Sequence, residues 1–251
     1  MTQLSELVAH RGDMTRYPEN TLPAFNAVIE AGARFVEFDV QMSGDGVPIV
    51  IHDEDLKRVA GLDAHVKDMD AGDLQQIEAS LSAPPFSSTR EAFIPTLKTL
   101  ISFMNEHVHV MAFVEIKHEG TGHIGMERSV DSVLVELESA KFPFSVISYS
   151  KDIVQFVHKS IPCPIGLVLN AYDARSKAVC ASLAPDYVFC DVNHLPLDDG
   201  PFWSIGGKWV IYEIKDPRKA MAMFERGAAM IETGDIITLM RELPFNSEAH
   251  D

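Results

Sequence analysis

Residues 145–191 read SVISYSKDIVQFVHKSIPCPIGLVLNAYDARSKAVCASLAPDYVFCD. Three short apolar runs, 145–148, 164–169 and 187–191, alternate with two segments of helical character, 151–159 and 174–183. Strands that alternate with helices at this pace predict parallel pairing through right-handed crossovers. The same rhythm continues downstream: a strand over 208–214, a helix to 226 capped by Asp216, a strand over 230–233 and a closing helix over 236–242. Upstream it gives a helix over 96–106 with Leu97, Leu100, Ile101 and Met104 on one stripe, a strand over 109–117 and a helix over 125–139. At the N-terminal end come Val8-Ala-His10-Arg11-Gly12, a helix over 22–31 capped by Thr21, a buried strand over 35–41 and a short strand over 48–51. Eight such units on 251 residues predict an α/β fold, a (β/α)8 TIM barrel spanning 1–251. The stretch 54–95 is irregular and polar, with a short helix over 73–77 and a breaker at Pro84-Pro85, and reads as a small insertion after the second strand.

A formal charge of -16 excludes a nucleic-acid or anionic-membrane partner held by bulk electrostatics. A phosphate-bearing ligand must therefore be held by local cations or a metal. No apolar stretch approaches the length of a membrane span, and Met1-Thr-Gln-Leu-Ser-Glu6 has none of the character of a secretory signal. A cytoplasmic location is expected. Cys163, Cys180 and Cys190 have no metal or redox spacing and are expected to be buried free thiols.

Barrel active sites form at the carboxyl ends of the strands. His10 and Arg11 end the first strand, and Glu37 and Asp39 share one face of the second. His52-Asp53 follows the extra short strand, and Glu115 and Lys117 share a face at the end of the next. Each motif has a bland reading by itself: Glu-x-Asp as a solvated face, Glu-x-Lys as an ion pair, His-Asp as a turn. Together they supply three hard carboxylate ligands for Mg²⁺ or Ca²⁺, with Mn²⁺ also suited, and two imidazoles for acid and base work. Arg11 and Lys117 add cations for phosphate oxygens. Displacement at a phosphodiester calls for that set, because charge on the non-bridging oxygens must be held while one alcohol loses a proton and the other gains one.

The series His10-Arg11-Gly12, Glu19-Asn20-Thr21, Glu37-x-Asp39, Asp45-Gly46, His52-Asp53, Ile94-Pro-Thr-Leu97 and Glu115-Ile-Lys117 resembles the glycerophosphodiester phosphodiesterases. The dense match covers about the first half of the chain, with thinner support from Ile147-Ser148-Tyr149. The resemblance implies hydrolysis of a small-molecule glycerophosphodiester to an alcohol and sn-glycerol 3-phosphate. It further implies that Glu37, Asp39 and Glu115 hold a divalent metal, that His10 is the base and His52 the acid, and that Arg11 and Lys117 engage phosphate. Glu19 and Tyr212 are candidate substrate-pocket residues, Tyr212 as an aromatic surface for glycerol.

Near the C-terminal end the chain departs from the family pattern. Tyr212-Glu-Ile-Lys215 stands where the family usually has Trp-Thr-Val-Asn, and Glu232-Thr-Gly-Asp235 where it has Ile-Thr-Asp-x-Pro. Two other readings therefore stand beside the first: a lysophospholipase D-like phosphodiesterase, and a non-catalytic barrel that binds a phosphodiester.

Overall fold

The computed structural model of the protein describes residues 6–79, 92–196 and 200–243. From the N-terminal end the elements are β1 (Glu6–His10), α1 (Leu22–Glu30), β2 (Phe35–Met42) and β3 (Pro48–Val50). Two one-turn helices, α2 (Lys57–Ala60) and α3 (Ala71–Leu74), precede α4 (Leu97–Met104), β4 (Met111–Ile116) and α5 (Met126–Leu137). Next come β5 (Phe144–Ser148), α6 (Lys151–Ser160), β6 (Ile165–Leu169), α7 (Ala174–Leu183) and β7 (Tyr187–Asp191). The chain ends with β8 (Lys208–Tyr212), α8 (Pro217–Glu225), β9 (Met230–Thr233) and α9 (Ile236–Glu242).

Eight parallel strands close on themselves, because β1 pairs with both β2 and β9. The expected TIM barrel is the fold, and β3 adds an antiparallel strand to the carboxyl-terminal end of β2, at Val40, Gln41 and Met42. Strand ends pass directly into helix caps, which is why the alternation was readable. Ser150 accepts from the Ile153 amide, Asp173 from that of Ser176, and Asp216 from those of Arg218 and Lys219. Each cap satisfies an amide left open in the first helical turn. Thr21 precedes α1 but does not cap it with its side chain; its hydroxyl donates to the Pro18 carbonyl at 2.7 Å.

Between β7 and β8 no α-helix forms among the described residues. Pro196, Pro201, Gly206 and Gly207 break the stretch, and stacked rings take the place of a helix, with Trp203 lying 3.8 Å from Tyr172. After β3, residues 49–79 with Ile94 gather a small core of their own around Leu56, Val66 and Leu74. The helix expected over 73–77 is α3, which starts two residues and ends three residues earlier. Pro84-Pro85 lies outside the described residues. Cys180 and Cys190 are buried and Cys163 half-buried; all three are free thiols.

The barrel interior is stratified. Val8, Phe113, Ile147, Val168, Phe189 and Val210 fill it with an apolar layer. Phe113 is fully buried and meets Tyr187 and Phe189 edge-on. Above that layer, toward the carboxyl ends of the strands, the inward positions become His10, Glu37, Glu115, Tyr149, Tyr212 and Glu232. The second apolar layer lies between the strands and the surrounding helices. Among the described residues no helix is long and apolar enough to cross a membrane.

Candidate active site

The turn after β1 sets the site. Arg11 and Gly12 both take left-handed backbone conformations, with φ of 55° and 82°. A Cβ on Gly12 would stand 2.7 Å from the backbone of Ala24, so only glycine lets the chain turn against α1. The turn is pinned by the Arg11 amide donating to the Glu37 carbonyl at 3.0 Å and the Asn20 amide donating to the Arg11 carbonyl at 3.0 Å. It lays the guanidinium across the barrel mouth, where Nε comes within 2.8 Å of Asp39 Oδ2. Asn20, itself left-handed, donates from Nδ2 to the same carboxylate at 2.9 Å.

Parallel pairing places Asp39 opposite Glu115 on the neighbouring strand. Lys117 lies between them, its Nζ 2.9 Å from Asp39 Oδ1 and 2.6 Å from Glu115 Oε1. Burial works against the Asp39 charge, yet the Arg11 guanidinium and the Lys117 ammonium hold that carboxyl well below the usual carboxylate range. Burial also works against Lys117, but Asp39 and Glu115 keep it firmly protonated. Glu37 is held differently. It is 1% exposed, and neither of its oxygens accepts a hydrogen bond from a described residue. Burial, with Asp39 and Glu232 nearby, pushes its pKa well above the ordinary value. One oxygen each from Glu37, Asp39 and Glu115 can be chosen within 4.8 Å of one another. Orphaned buried oxygens in an excess of carboxylates fit a divalent cation, since buried carboxylates without partners are costly. These acidic groups are thus able to hold a divalent metal.

Both histidines line the cavity that this cluster faces. His10 is 7% exposed; its Nδ1 lies 3.0 Å from Glu213 Oε1, and its Nε2 faces Glu37 Oε2 at 3.8 Å. Burial, aided by Arg11, lowers its pKa against the pull of Glu213. His52 Nδ1 lies 2.6 Å from Asp53 Oδ1, and its backbone carbonyl accepts from Gln41 Nε2 at 2.8 Å. Burial lowers the His52 pKa as well, against Asp39. From Asp53 an ion-pair chain runs back to β1: Arg58 Nε meets Asp53 at 2.6 Å, and Arg58 grips both oxygens of Glu19 at 2.7 and 2.8 Å. Glu19 also accepts from Arg11 Nη1 at 3.2 Å. The orientation of His52 and that of Arg11 are therefore coupled through Glu19 and Arg58.

His10, Arg11, Glu37, His52, Glu115, Lys117 and Tyr212 all line one cavity of about 60 Å³. Asp39, fully buried, lies against its wall through Lys117 and Arg11. Glu19 stands behind Arg11 with both oxygens taken, so its place in this structure is that of an anchor for two guanidinium groups. The Tyr149 and Tyr212 hydroxyls meet at 2.6 Å over the cavity, and burial pushes Tyr149 up to about 12, keeping it protonated. A wider cavity of about 530 Å³ opens beside it, sharing His52, Lys117 and Tyr149 and otherwise walled by Asp53, Glu54, Asp55 and Glu119 among others.

Four contributors were not read from the sequence as functional side chains: Asn20, Arg58, Glu213 and Glu232. Asn20 was within a motif and carried the only available signal. Glu213 and Glu232 showed only as charges where the family pattern has none, and Arg58 looked like one more polar residue in an irregular stretch.

The sequence model of the glycerophosphoryl diester phosphodiesterase family matches residues 10–198. A glycerophosphodiester phosphodiesterase of Bacillus altitudinis is 34% identical over 127 residues, 51% of this chain and 51% of that protein. One from Caldanaerobacter subterraneus subsp. tengcongensis is 32% identical over 131 residues, 52% of each. The matched stretch thus spans about half the length of these relatives. Among solved structures, an Oleispira antarctica phosphodiesterase in complex with the product sn-glycerol-3-phosphate superposes with a TM-score of 0.81 at 21% identity, over 95% of this chain and 96% of that one. A glycerophosphodiester phosphodiesterase from Thermotoga maritima does so with a TM-score of 0.74 at 24% identity, over 96% and 99%. At these identities the likeness establishes the shared barrel.

Proposed function

The chain belongs to the glycerophosphoryl diester phosphodiesterase family, and from that premise we propose that it hydrolyses small glycerophosphodiesters to an alcohol and sn-glycerol 3-phosphate with a divalent metal and two histidines. The single observation that carries the reading is Glu37, whose two buried oxygens lack hydrogen-bond partners beside Asp39 and Glu115 at the mouth of the barrel. Residues 1–251 are taken as one barrel domain, with 54–95 carried on it as an insertion.

Glu37, Asp39 and Glu115 would hold the cation. When bound, it supplies positive charge for the non-bridging phosphate oxygens, with Mg²⁺, Ca²⁺ and Mn²⁺ all suited to three carboxylates. Arg11 contacts Asp39 and Glu19 through two of its nitrogens, and the rest of its fork is available to phosphate. Lys117 neutralises Asp39 and Glu115 and adds a point charge at the cavity wall. His10, neutral because burial lowers its pKa, takes the proton of the attacking glycerol 2-hydroxyl on Nε2 while Glu213 fixes Nδ1. His52 protonates the departing alcohol. Its lowered pKa in the free protein is raised when an anionic phosphodiester sits beside the ring, which favours the charged form. The cyclic phosphate formed by this attack is then opened by water, with the two imidazoles exchanging roles.

The wider cavity supports a small polar or cationic alcohol over an acyl chain, because Asp53, Glu54, Asp55 and Glu119 line it. This ranks glycerophosphodiesters above lysophospholipids. The test is a panel of glycerophosphocholine, glycerophosphoethanolamine, glycerophosphoglycerol and a long-chain lysophospholipid, assayed with each metal and scored for both products. Glycerol 3-phosphate is expected from the soluble diesters, with His52→Ala reducing turnover by about 10²- to 10⁴-fold. Turnover of the lysophospholipid alone, or none with any metal, would overturn the reading.

A further inference from the structure

We propose that the cavity has a second divalent-cation site, formed by His10 Nε2, Glu37 and Glu232, next to the one on Glu37, Asp39 and Glu115. The inference rests on the reading of the first site given above and adds a ligand to the same cavity.

Glu232 is the starting point. Pairing of β1 with β9 sets Val8 opposite Glu232, which brings the glutamate beside the strand end that carries His10. It is 3% exposed, its Oε1 accepts no hydrogen bond from a described residue, and it lines the same cavity as His10 and Glu37. A buried carboxylate without a partner is retained only with a proton or a cation to neutralise it. His10, Glu37 and Glu232 each offer one ligand atom within 4.8 Å of the others.

Two further features favour the cation. Glu37 has both oxygens unpartnered and belongs to both groups of ligands, so two ions held there would be close neighbours. His10 is also arranged as a ligand. Glu213 Oε1 lies 3.0 Å from its Nδ1, and Nε2 faces Glu37 and the cavity. A carboxylate behind the outer nitrogen of a histidine is the usual support of a metal-bound imidazole. One imidazole and two carboxylates suit Mn²⁺ better than Ca²⁺, which takes oxygen ligands.

The consequence is regulatory. A cation on His10 Nε2 occupies the lone pair that accepts the substrate proton, so filling the second site silences the base that the first site needs. Activity should rise with metal as the first site fills and fall as the second does.

The test uses the full chain stripped with chelator and titrated with Mn²⁺. Equilibrium dialysis counts bound ions, and electron paramagnetic resonance reads coupling between them, with Glu232→Gln compared under the same conditions. Two ions per wild-type chain with a spin-coupled signal, one uncoupled ion in Glu232→Gln, and loss of activity at high Mn²⁺ in the wild type alone are expected. The wild-type coupling stands without the variant, should Glu232→Gln fail to fold. One uncoupled ion in the wild type overturns the second site and leaves the first intact. No bound ion in the wild type overturns both.

Discussion

Lys117→Met removes the cation that lies between Asp39 and Glu115 while keeping the length of the side chain. The groups are buried: 8% exposed for the Lys117 side chain, none for Asp39 and 10% for Glu115. Removing one partner of a buried ion pair leaves an uncompensated charge and costs about 3–5 kcal/mol. Here one ammonium serves two carboxylates, and among the described residues Arg11 and Asn20 remain for Asp39. In a chain of this size each kcal/mol lowers the melting temperature by about 2–4 °C, so a drop of about 6–20 °C is expected in chelator at about pH 8. Differential scanning calorimetry measures it. Saturating Mn²⁺ should restore more stability to the variant than it adds to the wild type, because the cation then supplies the charge that Lys117 did. A melting temperature within about 2 °C of wild type in chelator would refute the reasoning. It would mean that the carboxylates of this cluster carry no uncompensated charge when Lys117 is gone.

Burial raises the Glu37 pKa in the folded state, so its contribution to stability is full below its unfolded value and is lost as pH rises through the folded one. Metal-free wild type should therefore lose stability relative to Glu37→Gln as pH rises above the ordinary carboxylate range, read by chemical denaturation; parallel curves would show that Glu37 is not perturbed. Because burial lowers the His10 pKa from 6.5, its base form persists until pH falls below that value, and kcat/KM should decline on the acid side only below 6.5. A decline centred above about pH 7 would remove His10 from that role. Gly12→Ala forces a Cβ to within 2.7 Å of Ala24 at a φ of 82°, and should destabilise the fold by about 1–3 kcal/mol while displacing Arg11. A variant as stable and as active as wild type would show that the turn is not tight.

Periodicity carried the barrel because the strands are short and apolar, and α4, α6, α7 and α8 each begin at a side-chain cap; 187–191 and 230–233 were readable to the residue. The carboxylate face was legible for the same reason, since two-residue spacing puts Glu37 with Asp39 and Glu115 with Lys117 whichever way the strands pair. What was hidden depended on closure. Only the pairing of β1 with β9 brings Glu232 to His10, and only the left-handed residue after β8 lets Glu213 reach Nδ1. Arg58 was invisible because its partners Glu19 and Asp53 lie on two different loops, and α2 is a single turn with no periodicity to read. The small core around Leu56 escaped for a similar reason, being assembled from one-turn helices and isolated bridges.

The central claim is that a divalent cation on Glu37, Asp39 and Glu115 is required for hydrolysis of a glycerophosphodiester. Phosphorus NMR of glycerophosphocholine with chelator-treated protein, before and after a single equivalent of Mn²⁺, tests it most directly. The substrate signal should stay unchanged in chelator and convert to sn-glycerol 3-phosphate on adding the metal, with no conversion by Asp39→Asn in either condition. Full conversion by the wild type in excess chelator would contradict it.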